Sequence, residues 1–304
     1  MKGDHYPATA EKQPVKTGFF AENRYILTAF FASALVMLFV YFCFGLFPFG
    51  GSTILRMDLY HQYGPLFAEL YERIVQVRSF LYSWNSGLGS GFLGNFFNYL
   101  SSPLSIIVVF FGHKNIPEAI ATMVLLKAAL SSAAFAYYIK KSLGKSDYGA
   151  AAFGVLYSFC GFFIAYYWNV MWLDAMFLFP LVMLGIERIV NLRKPMLFIG
   201  SMALTMIANY YMAYMVCLFS VIYFFIYFAA NYRLSSLYGE AVFTLDDKGE
   251  KRYSAGQRLR HSVFLGSGLR FAFAALVAFC LAAFALIPLY YILQASSATS
   301  GSFP

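Results

Sequence analysis

A single carboxylate, Asp58, lies just after the first long apolar run of the chain, among side chains that form hydrogen bonds. Arg56, His61 and Gln62 are polar neighbours of Asp58. An ionisable group at the membrane boundary is costly, and such groups indicate a functional site by default. One interpretation is a general base that takes a proton from an acceptor hydroxyl. The other is an interfacial Asp paired with Arg56, and the residues alone leave both open.

Lys127 lies about eleven residues into an apolar segment long enough to span a membrane. At a rise of ~1.5 Å per residue, its backbone is near the middle of the bilayer. That depth favours a functional role, in which Lys127 pairs with a lipid phosphate or with an acidic side chain. The alternative is a lysine that points into the protein interior.

Polar residues also interrupt the apolar runs at two later turns. Asp174 and Asn169 lie at the predicted outer end of the fourth span, where they would position a substrate. Asp favours helix starts, so N-capping is the alternative role of Asp174. Asn209 and Tyr210 break a later apolar run. They are predicted either to bind sugar hydroxyls or to form an ordinary turn.

The motifs predict neither a metal ion nor an organic cofactor. His61 has no His or Cys at ligand spacing, which argues against a zinc site. The glycine-rich stretch from Trp84 to Gly91 follows no strand and lacks the lysine of a P-loop. No Ser-His-Asp arrangement is recognisable. We therefore expect chemistry carried out by side chains alone.

The composition is typical of a membrane protein. Of 304 residues, 61% are hydrophobic and 12% are charged, against about 25% charged in soluble domains. Aromatic residues make up 20% of the chain, which predicts an internal groove lined by rings as well as interfacial belts. The net charge of +8 is spread between the apolar runs, so it indicates membrane topology and no nucleic-acid partner. The four cysteines lie inside apolar runs and are interpreted as packing residues.

Apolar runs of ~20 residues predict an all-α, polytopic transmembrane helical bundle of about seven spans, in a domain at 25–293. A cytoplasmic tail at 1–24 precedes this domain, although the first run also allows a cleaved signal peptide. A cytoplasmic loop is predicted at 232–269 and an outer segment at 294–304. The predicted spans are 25–47, 116–139, 148–168, 172–190, two within 196–230, and 270–293.

The outer loop at 48–115 has a mixed character. Residues 64–82 predict a helix that lies in the membrane interface, with apolar side chains on one face and four charged ones on the other. Residues 103–111 are apolar but too short to span, which favours a re-entrant or interfacial helix. The charged side chains assigned to the polar face of the first helix are Glu69, Glu72, Arg73 and Arg78.

The distribution of Lys and Arg predicts the orientation. Seventeen of the 22 lie on one side: four in the tail, three in 140–147, three in 187–195 and seven in 232–270. Because cytoplasmic loops carry the excess of positive charge, the N-terminus is predicted to be cytoplasmic and Asp58 to lie outside. The expected location is the cell membrane.

Several motifs together identify a family. The chain resembles the bacterial YfhO-type membrane proteins over most of residues 25–230. The order and spacing of the motifs carry this resemblance. They are Asp58-Leu-Tyr-His-Gln62-Tyr-Gly-Pro65, Trp84-Asn-Ser-Gly-Leu-Gly-Ser-Gly91, Asn98-Tyr-Leu-Ser-Ser-Pro103, Leu156-Tyr-Ser-Phe-Cys-Gly161, Trp168-Asn169, Leu173-Asp-Ala175 and Gly185-Ile-Glu-Arg188.

That family is similar to the GT-C glycosyltransferases, which use polyprenyl-phosphate-linked sugars outside the cytoplasm. In the GT-C fold an acidic catalytic residue lies near the start of the first outer loop, and Asp58 matches this position. The resemblance implies glycosylation of cell-envelope polymers such as teichoic acids, or of a lipid acceptor. Family members are longer, so the chain is expected to be an N-terminal fragment. It has no clear Asp-x-Asp motif, which weakens the case for a bound metal ion.

The resulting hypothesis is an extracytoplasmic glycosyltransferase. Asp58 acts as the base, and the donor phosphate lies near Lys127 or Arg56, surrounded by membrane lipids. The rival hypothesis is a transporter or lipid flippase for envelope precursors, in which Asp58 and Lys127 mark the substrate path. A third possibility is a non-catalytic assembly protein. The remaining predicted substrate-binding residues are His61, Gln62, Asn169, Asp174, Asn209 and Tyr210.

Overall fold

The apolar runs form helices, because a bilayer offers backbone N–H and C=O groups no hydrogen-bond partner and a helix satisfies these groups internally. The computed structural model describes residues 18–86, 89–231, 244–245, 251–252 and 263–294. The helices are α1 Phe19–Glu22, α2 Arg24–Cys43, α3 Gly64–Val75, α4 Phe92–Asn95, α5 Ile107–Phe111, α6 Ile116–Ser142, α7 Tyr148–Ser158, α8 Gly161–Tyr166, α9 Leu173–Val190, α10 Met196–Ala208, α11 Tyr210–Asn231 and α12 Val263–Gln294.

Shorter elements connect these helices. Leu59–Tyr63 and Phe96–Leu100 are π-helical, with a wider turn than an α-helix. The 3-10 segments are Pro103–Ile106, His113–Asn115 and Val170–Trp172. Strands β1 (Thr244–Leu245) and β2 (Lys251–Arg252) form a two-residue antiparallel pair. Most of the predicted tail, most of the predicted loop at 232–269 and nearly all of 294–304 lie outside the described residues.

The predicted all-α, polytopic bundle is confirmed. Within the described residues, six helical segments are long and apolar enough to cross a membrane. The number is seven if the bent pair Phe92–Leu100 and Pro103–Phe111 is one span. The two halves of that pair meet at 107°, the geometry of a broken span or a re-entrant loop. The six segments are Arg24–Cys43, His113–Ser142, Tyr148–Tyr166, Val170–Val190, Tyr210–Asn231 and Val263–Gln294.

Two predicted spans differ from the observed helices. The pair expected within 196–230 divides at Asn209, but α10 has only 13 residues, fewer than the ~20 that a span needs. The third predicted span is interrupted between α7 and α8, where Phe159 ends the first helix and Cys160 precedes the second.

The described basic residues separate toward the two ends of the bundle. At one end, called the basic end, the Lys140 ammonium donates to the Glu22 carbonyl and the Arg270 guanidinium donates to the Leu192 carbonyl. The opposite end, called the loop end, contains the described part of 44–115 and the turns near residues 169 and 209. This separation agrees with the charge distribution in the sequence; the cytoplasmic assignment of the basic end stays a prediction.

The helices on the amino-terminal side are joined by small polar side chains. The hydroxyls of Ser33 and Ser158 lie 3.0 Å apart between α2 and α7. The Ser132 hydroxyl in α6 donates to the Ala29 carbonyl in α2. Small residues at such interfaces let membrane helices approach closely enough for dispersion and hydrogen bonding to stabilise them.

Helix α9 lies at the centre of the bundle, in contact with α6, α10, α11 and α12. It approaches α10 closely at Gly185, where an added Cβ would lie 2.6 Å from the Phe198 Cα atom. Only a residue without a side chain allows the backbones to pass at this separation. Since α9 carries Asp174 at its loop end, this contact also sets the position of the candidate site.

The charged face predicted for 64–82 is wrong in two respects. The helix ends at Val75, and Val77 has a left-handed φ of 52° with an 89% exposed side chain. Glu69 and Arg73 are buried, because the segment after the helix folds back over them and supplies hydrogen-bond partners. Helical periodicity cannot predict that residues outside the helix will bury its charged side chains.

Gly185→Ala should destabilise the protein by about 1–3 kcal/mol, because the new methyl group overpacks the α9–α10 contact. Gly200→Ala is the matched control, since a Cβ at this α10 position has no neighbour within 4 Å. The control should be neutral or stabilising, as alanine has the higher helix propensity. Thermal unfolding in the same detergent measures both, and equal stability of the two variants would contradict the contact.

Candidate functional site

Asp58 directly precedes the π-helical segment Leu59–Tyr63, which continues into α3. The residue before it, Met57, has a φ of 47°, an uncommon conformation for a residue with a side chain. Leu59 and Tyr63 are buried, whereas the side chains of Asp58 and His61 are exposed. Strained backbone and π-helical turns are both frequent at functional sites. The local fold therefore anchors one face of this turn and presents Asp58 on the other.

The Asp58 carboxylate makes no hydrogen bond or ion pair within the described part of the chain. The pairing with Arg56 that the sequence allowed is not formed, although the two residues are close in sequence. Arg56 is likewise exposed and has no described partner. A carboxylate and a guanidinium thus lie close together in the chain, each available to a ligand.

Tyr63 connects this segment to the turn before α9. Its hydroxyl donates to the Asn169 side-chain oxygen over 2.8 Å, and both side chains are buried. Burial raises the pKa of the Tyr63 phenol, with smaller contributions from Tyr99 and Asp58. The phenol is therefore protonated at physiological pH and serves as a fixed donor. The sequence interpretation missed Tyr63, although it is in the same motif as Asp58.

Lys127 and Asp174 form an ion pair in the interior. The ammonium lies 2.7 Å from one carboxylate oxygen and 2.8 Å from the Val170 carbonyl oxygen. The Ser102 hydroxyl donates to the other carboxylate oxygen over 2.7 Å. Both charged side chains are 1% exposed. The pair joins α6, α9, the Val170 turn and the segment before Pro103.

This geometry decides between the alternatives for both residues. Asp174 is the second residue of α9 and accepts from Lys127 and Ser102, so the predicted N-capping role is wrong. Of the two partners that the sequence allowed for Lys127, a lipid phosphate or an acidic side chain, the structure shows the acidic side chain. Two buried charges stabilise a fold only when their hydrogen bonds are satisfied, and here each charge has two partners.

Asn209 occupies the break between α10 and α11. Its side-chain nitrogen donates to the Asn98 carbonyl over 3.1 Å, and its side-chain oxygen accepts from the Met212 amide over 2.9 Å. The side chain thus caps α11 and ties this turn to the loop end, as an ordinary turn would. Tyr210, which follows it, is half-buried.

The predicted site residues therefore divide into three groups. Lys127 and Asp174 touch each other, and Asn169 is joined to the Asp58 segment through Tyr63. Asn209 and Tyr210 belong to a separate turn that contacts the same loop end. Arg56, His61 and Gln62 stay on the Asp58 segment, where Gln62 is half-buried and the other two are exposed.

A membrane-facing groove lies next to the Asp58 segment. It has a volume of about 560 Å³ and is walled mainly by apolar and aromatic side chains of α2, α6 and α8. The chain from Ser52 to Arg56 borders it at the loop end. A larger groove of about 760 Å³ runs between α11 and α12, but no charged residue lines it. The smaller groove thus combines an apolar channel with an unpaired cation.

The described residues hold no group of three or more His, Cys, Asp and Glu side chains that could bind a metal ion. The charged groups of the candidate site are Asp58, Arg56 and the Lys127–Asp174 pair. What the arrangement offers chemically is a carboxylate able to accept a proton and a guanidinium able to bind an anion.

Comparisons with known proteins agree on one family. A family model described as bacterial membrane protein YfhO matches residues 29–303. The uncharacterized protein YfhO of Bacillus subtilis (strain 168) is 30% identical over 162 residues, which are 48% of this chain and 18% of the relative. The chain therefore spans less than a fifth of the length of this curated relative. No solved structure matches the chain significantly.

Lys127→Met should cost about 3–5 kcal/mol of stability, because it leaves the Asp174 carboxylate buried without its counter-ion. Asp174→Leu should cost a similar amount. The double variant should be more stable than either single variant, since it removes both charges together. Arg78→Met is the control, because its half-exposed pair with Glu72, at 3.5 Å, should contribute less than about 1 kcal/mol.

Denaturant or thermal unfolding in one detergent compares the four proteins. Additive losses in the double variant would contradict a coupled ion pair.

Proposed function

The chain belongs to the YfhO family of bacterial membrane proteins, and on that premise we propose that it is part of an extracytoplasmic glycosyltransferase. The donor is a sugar linked to a polyprenyl phosphate, and the acceptor is a cell-envelope polymer or a lipid. One observation carries the proposal: the Asp58 carboxylate is exposed and has no partner among the described residues, beside an apolar groove that has Arg56 at its edge.

The groove suits a donor with an apolar chain and an anionic head. The hydrocarbon chain lies between α2 and α8, where it contacts apolar and aromatic walls. The phosphate binds the Arg56 guanidinium, since guanidinium groups form paired, charge-assisted hydrogen bonds with phosphate oxygens. The hydroxyls of Ser52 and Thr53, which also line the groove, donate to the remaining oxygens.

The reaction is a displacement at the anomeric carbon. Asp58 accepts the proton of an acceptor hydroxyl as its oxygen attacks that carbon. The bond between the anomeric carbon and the phosphate oxygen breaks, and its electron pair leaves with the lipid phosphate. Arg56 stabilises the negative charge that develops on the phosphate. The proton remains on Asp58 until solvent removes it, which completes the turnover.

The other predicted residues support this reaction from three positions. His61 and Gln62 lie on the Asp58 segment and contact the sugar or the phosphate. Lys127 and Asp174 act indirectly, from inside the bundle. Lys127 holds the Val170 carbonyl, and the adjacent Asn169 accepts a hydrogen bond from Tyr63 on the Asp58 segment. Asn209 and Tyr210 border the loop end from the α10–α11 turn.

A transporter or lipid flippase is the second candidate, and the Lys127–Asp174 pair favours it. Ionisable residues inside membrane bundles frequently mark a transport path. The two functions differ in what they need from Asp58, since flipping a lipid requires no proton transfer to a carboxylate.

The proposed topology places the basic end in the cytoplasm and the loop end outside the cell membrane. Lys114 and Lys145 flank α6 and are both exposed. In a variant without native cysteines, Lys114→Cys should react with a membrane-impermeant maleimide on intact cells. Lys145→Cys should react only after permeabilisation. The reversed pattern would overturn the orientation and with it an external site.

Asp58→Asn should lower the rate of sugar transfer by about 10²–10⁴, because the amide cannot accept the proton. Arg56→Gln should raise the KM for the donor by about tenfold through the lost charge-assisted contact. It should also lower kcat, because the charge that develops on the leaving phosphate is less stabilised. Lys114→Gln removes an exposed loop-end cation remote from Asp58 in sequence and should leave both parameters unchanged.

The assay uses the protein in membranes loaded with a polyprenyl-phosphate sugar. Transfer at the normal rate by the Asp58→Asn protein would refute the assignment. Retained lipid movement together with absent sugar transfer in the wild type would favour the flippase.

A further inference from the structure

A buried ionic cluster holds the segment that follows α3. The Arg73 guanidinium pairs with the Glu69 carboxylate at 2.6 Å and donates to the backbone carbonyls of Ser79 and Tyr82. It also lies over the Phe92 ring, 4.0 Å from its centroid. Burying a charge pair in an outer loop costs desolvation. This cost is offset by several simultaneous hydrogen bonds, which give the loop one defined position.

A polar cleft lies beside this cluster. It has a volume of about 260 Å³ and runs between one face of α3 and the chain at Asn85 and Ser86. Glu69 and Glu72 form its helical wall. Both carboxylates have basic partners: Glu69 binds Arg73, and Glu72 lies 3.5 Å from Arg78 and 3.2 Å from His113. The cleft thus offers donors and acceptors without a large excess of charge.

An exposed aromatic side chain comes just before the cleft residues in the chain. Trp84 is 78% exposed, and its ring packs edge-on against Tyr82 with centroids 5.0 Å apart. The backbone of Ser83 pairs with that of Ser90, and the Ser83 hydroxyl donates to the Glu69 carboxylate. Gly89 closes this turn at a φ of 108°, and a side chain there would collide with the Tyr82 ring. The indole is therefore held in place by the same buried cluster.

We infer that this cleft binds a neutral, hydroxyl-rich chain, a sugar or polyol, with Trp84 as its aromatic platform. Carboxylate, amide and hydroxyl groups at close spacing satisfy several hydroxyls at once. The amphipathic indole covers the apolar face of a sugar ring while its N–H stays free to donate. A phosphate-rich ligand fits less well, because the cleft wall carries two carboxylates. A lipid tail fits less well because two carboxylates, an amide and a hydroxyl interrupt the apolar part of the wall, which Pro65, Leu66 and Ala68 form.

The inference rests on the proposed function in one respect, the role of the bound chain as acceptor. Asp58 directly precedes the helical stretch that contains the cleft residue Pro65. Seven residues correspond to at most about 10 Å along the axis, since the π-helical part rises less per residue than an α-helix. A chain of a few units bound in the cleft therefore extends toward the Asp58 carboxylate. Donor and acceptor then approach Asp58 from different elements, the α2–α8 groove and the α3 cleft.

A membrane contact is the competing explanation of the exposed indole. Val77 and Leu81 are 89% and 68% exposed on the same connecting segment, and tryptophan is enriched at membrane interfaces. The cleft next to Trp84 favours a sugar-binding role, since a tryptophan that only contacts lipid needs no such cleft. The two explanations predict different behaviour for substitutions at Trp84 and at Val77.

Direct binding is measured by saturation-transfer NMR on the protein in lipid nanodiscs, with glucose, N-acetylglucosamine and glycerol as probes at millimolar concentrations. At least one probe should bind. Trp84→Ala and Asn85→Ala should each raise its Kd by about tenfold, equal to ~1.4 kcal/mol. Val77→Ser, the matched control on the same segment, should leave the Kd unchanged. No binding by any probe, or equal binding by the Trp84→Ala protein, would overturn the inference.

A transfer assay separates this inference from the proposed function. Trp84→Ala and Asn85→Ala should raise the KM for the acceptor while kcat and the donor KM stay normal, whereas Asp58→Asn lowers kcat. Normal acceptor KM in both cleft variants would refute the cleft and leave the glycosyltransferase standing. Sugar binding to the cleft of a protein that transfers no sugar would refute the glycosyltransferase and leave the cleft standing. Equal loss of thermal stability in lipid nanodiscs in the Trp84→Ala and Val77→Ser proteins, without a change in sugar binding, would identify an interfacial anchor and overturn the inference.

Discussion

Lys127 and Asp174 neutralise each other inside the bundle, and four separate segments take their positions from the atoms of this pair. The pair draws α6 against α9, and the same ammonium holds the Val170 carbonyl. The Ser102 hydroxyl brings in the segment that leads to α5. In an apolar medium neither charge is stable without these partners. The requirement to satisfy two buried charges therefore determines how the loop end closes.

The Asp58 segment depends on this closure through a single hydrogen bond. Asn169 adjoins the Val170 turn, and its side chain receives the Tyr63 hydroxyl. Tyr63 ends a π-helical turn that begins after a left-handed Met57, both of which are unfavourable in isolation. Anchoring at Leu59 and Tyr63 keeps the turn in place. Asp58 is exposed because the opposite face of its turn is fixed.

Local patterns in the sequence predicted the helices and the polar turns, but not the partners of the polar residues. Asp58, Lys127, Asn169, Asp174 and Asn209 stand out because each interrupts or borders an apolar run. The Lys127–Asp174 contact joins residues 47 positions apart, and the Tyr63–Asn169 contact joins residues 106 apart. No periodicity extends over such separations.

The buried Glu69–Arg73 pair was mispredicted for the same reason, since its cover comes from residues beyond the helix. The short length of α10 follows from Asn209, which had been predicted either to bind sugar hydroxyls or to form a turn.

The candidate site contains both a buried ion pair, Lys127–Asp174, and two exposed charges, Arg56 and Asp58. The charges of Lys127 and Asp174 neutralise each other, and both side chains are only 1% exposed. The pair therefore adds little electrostatic potential at the protein surface. The charges of Arg56 and Asp58 stay available to a ligand, since neither side chain has a described partner. If the chain transfers sugars as proposed, the anionic head group of the donor binds Arg56 at the α2–α8 groove, close to Asp58 in the chain. In that proposal the buried Lys127 offers the anion no competing positive charge, and Arg56 and Asp58 supply the anion site and the base.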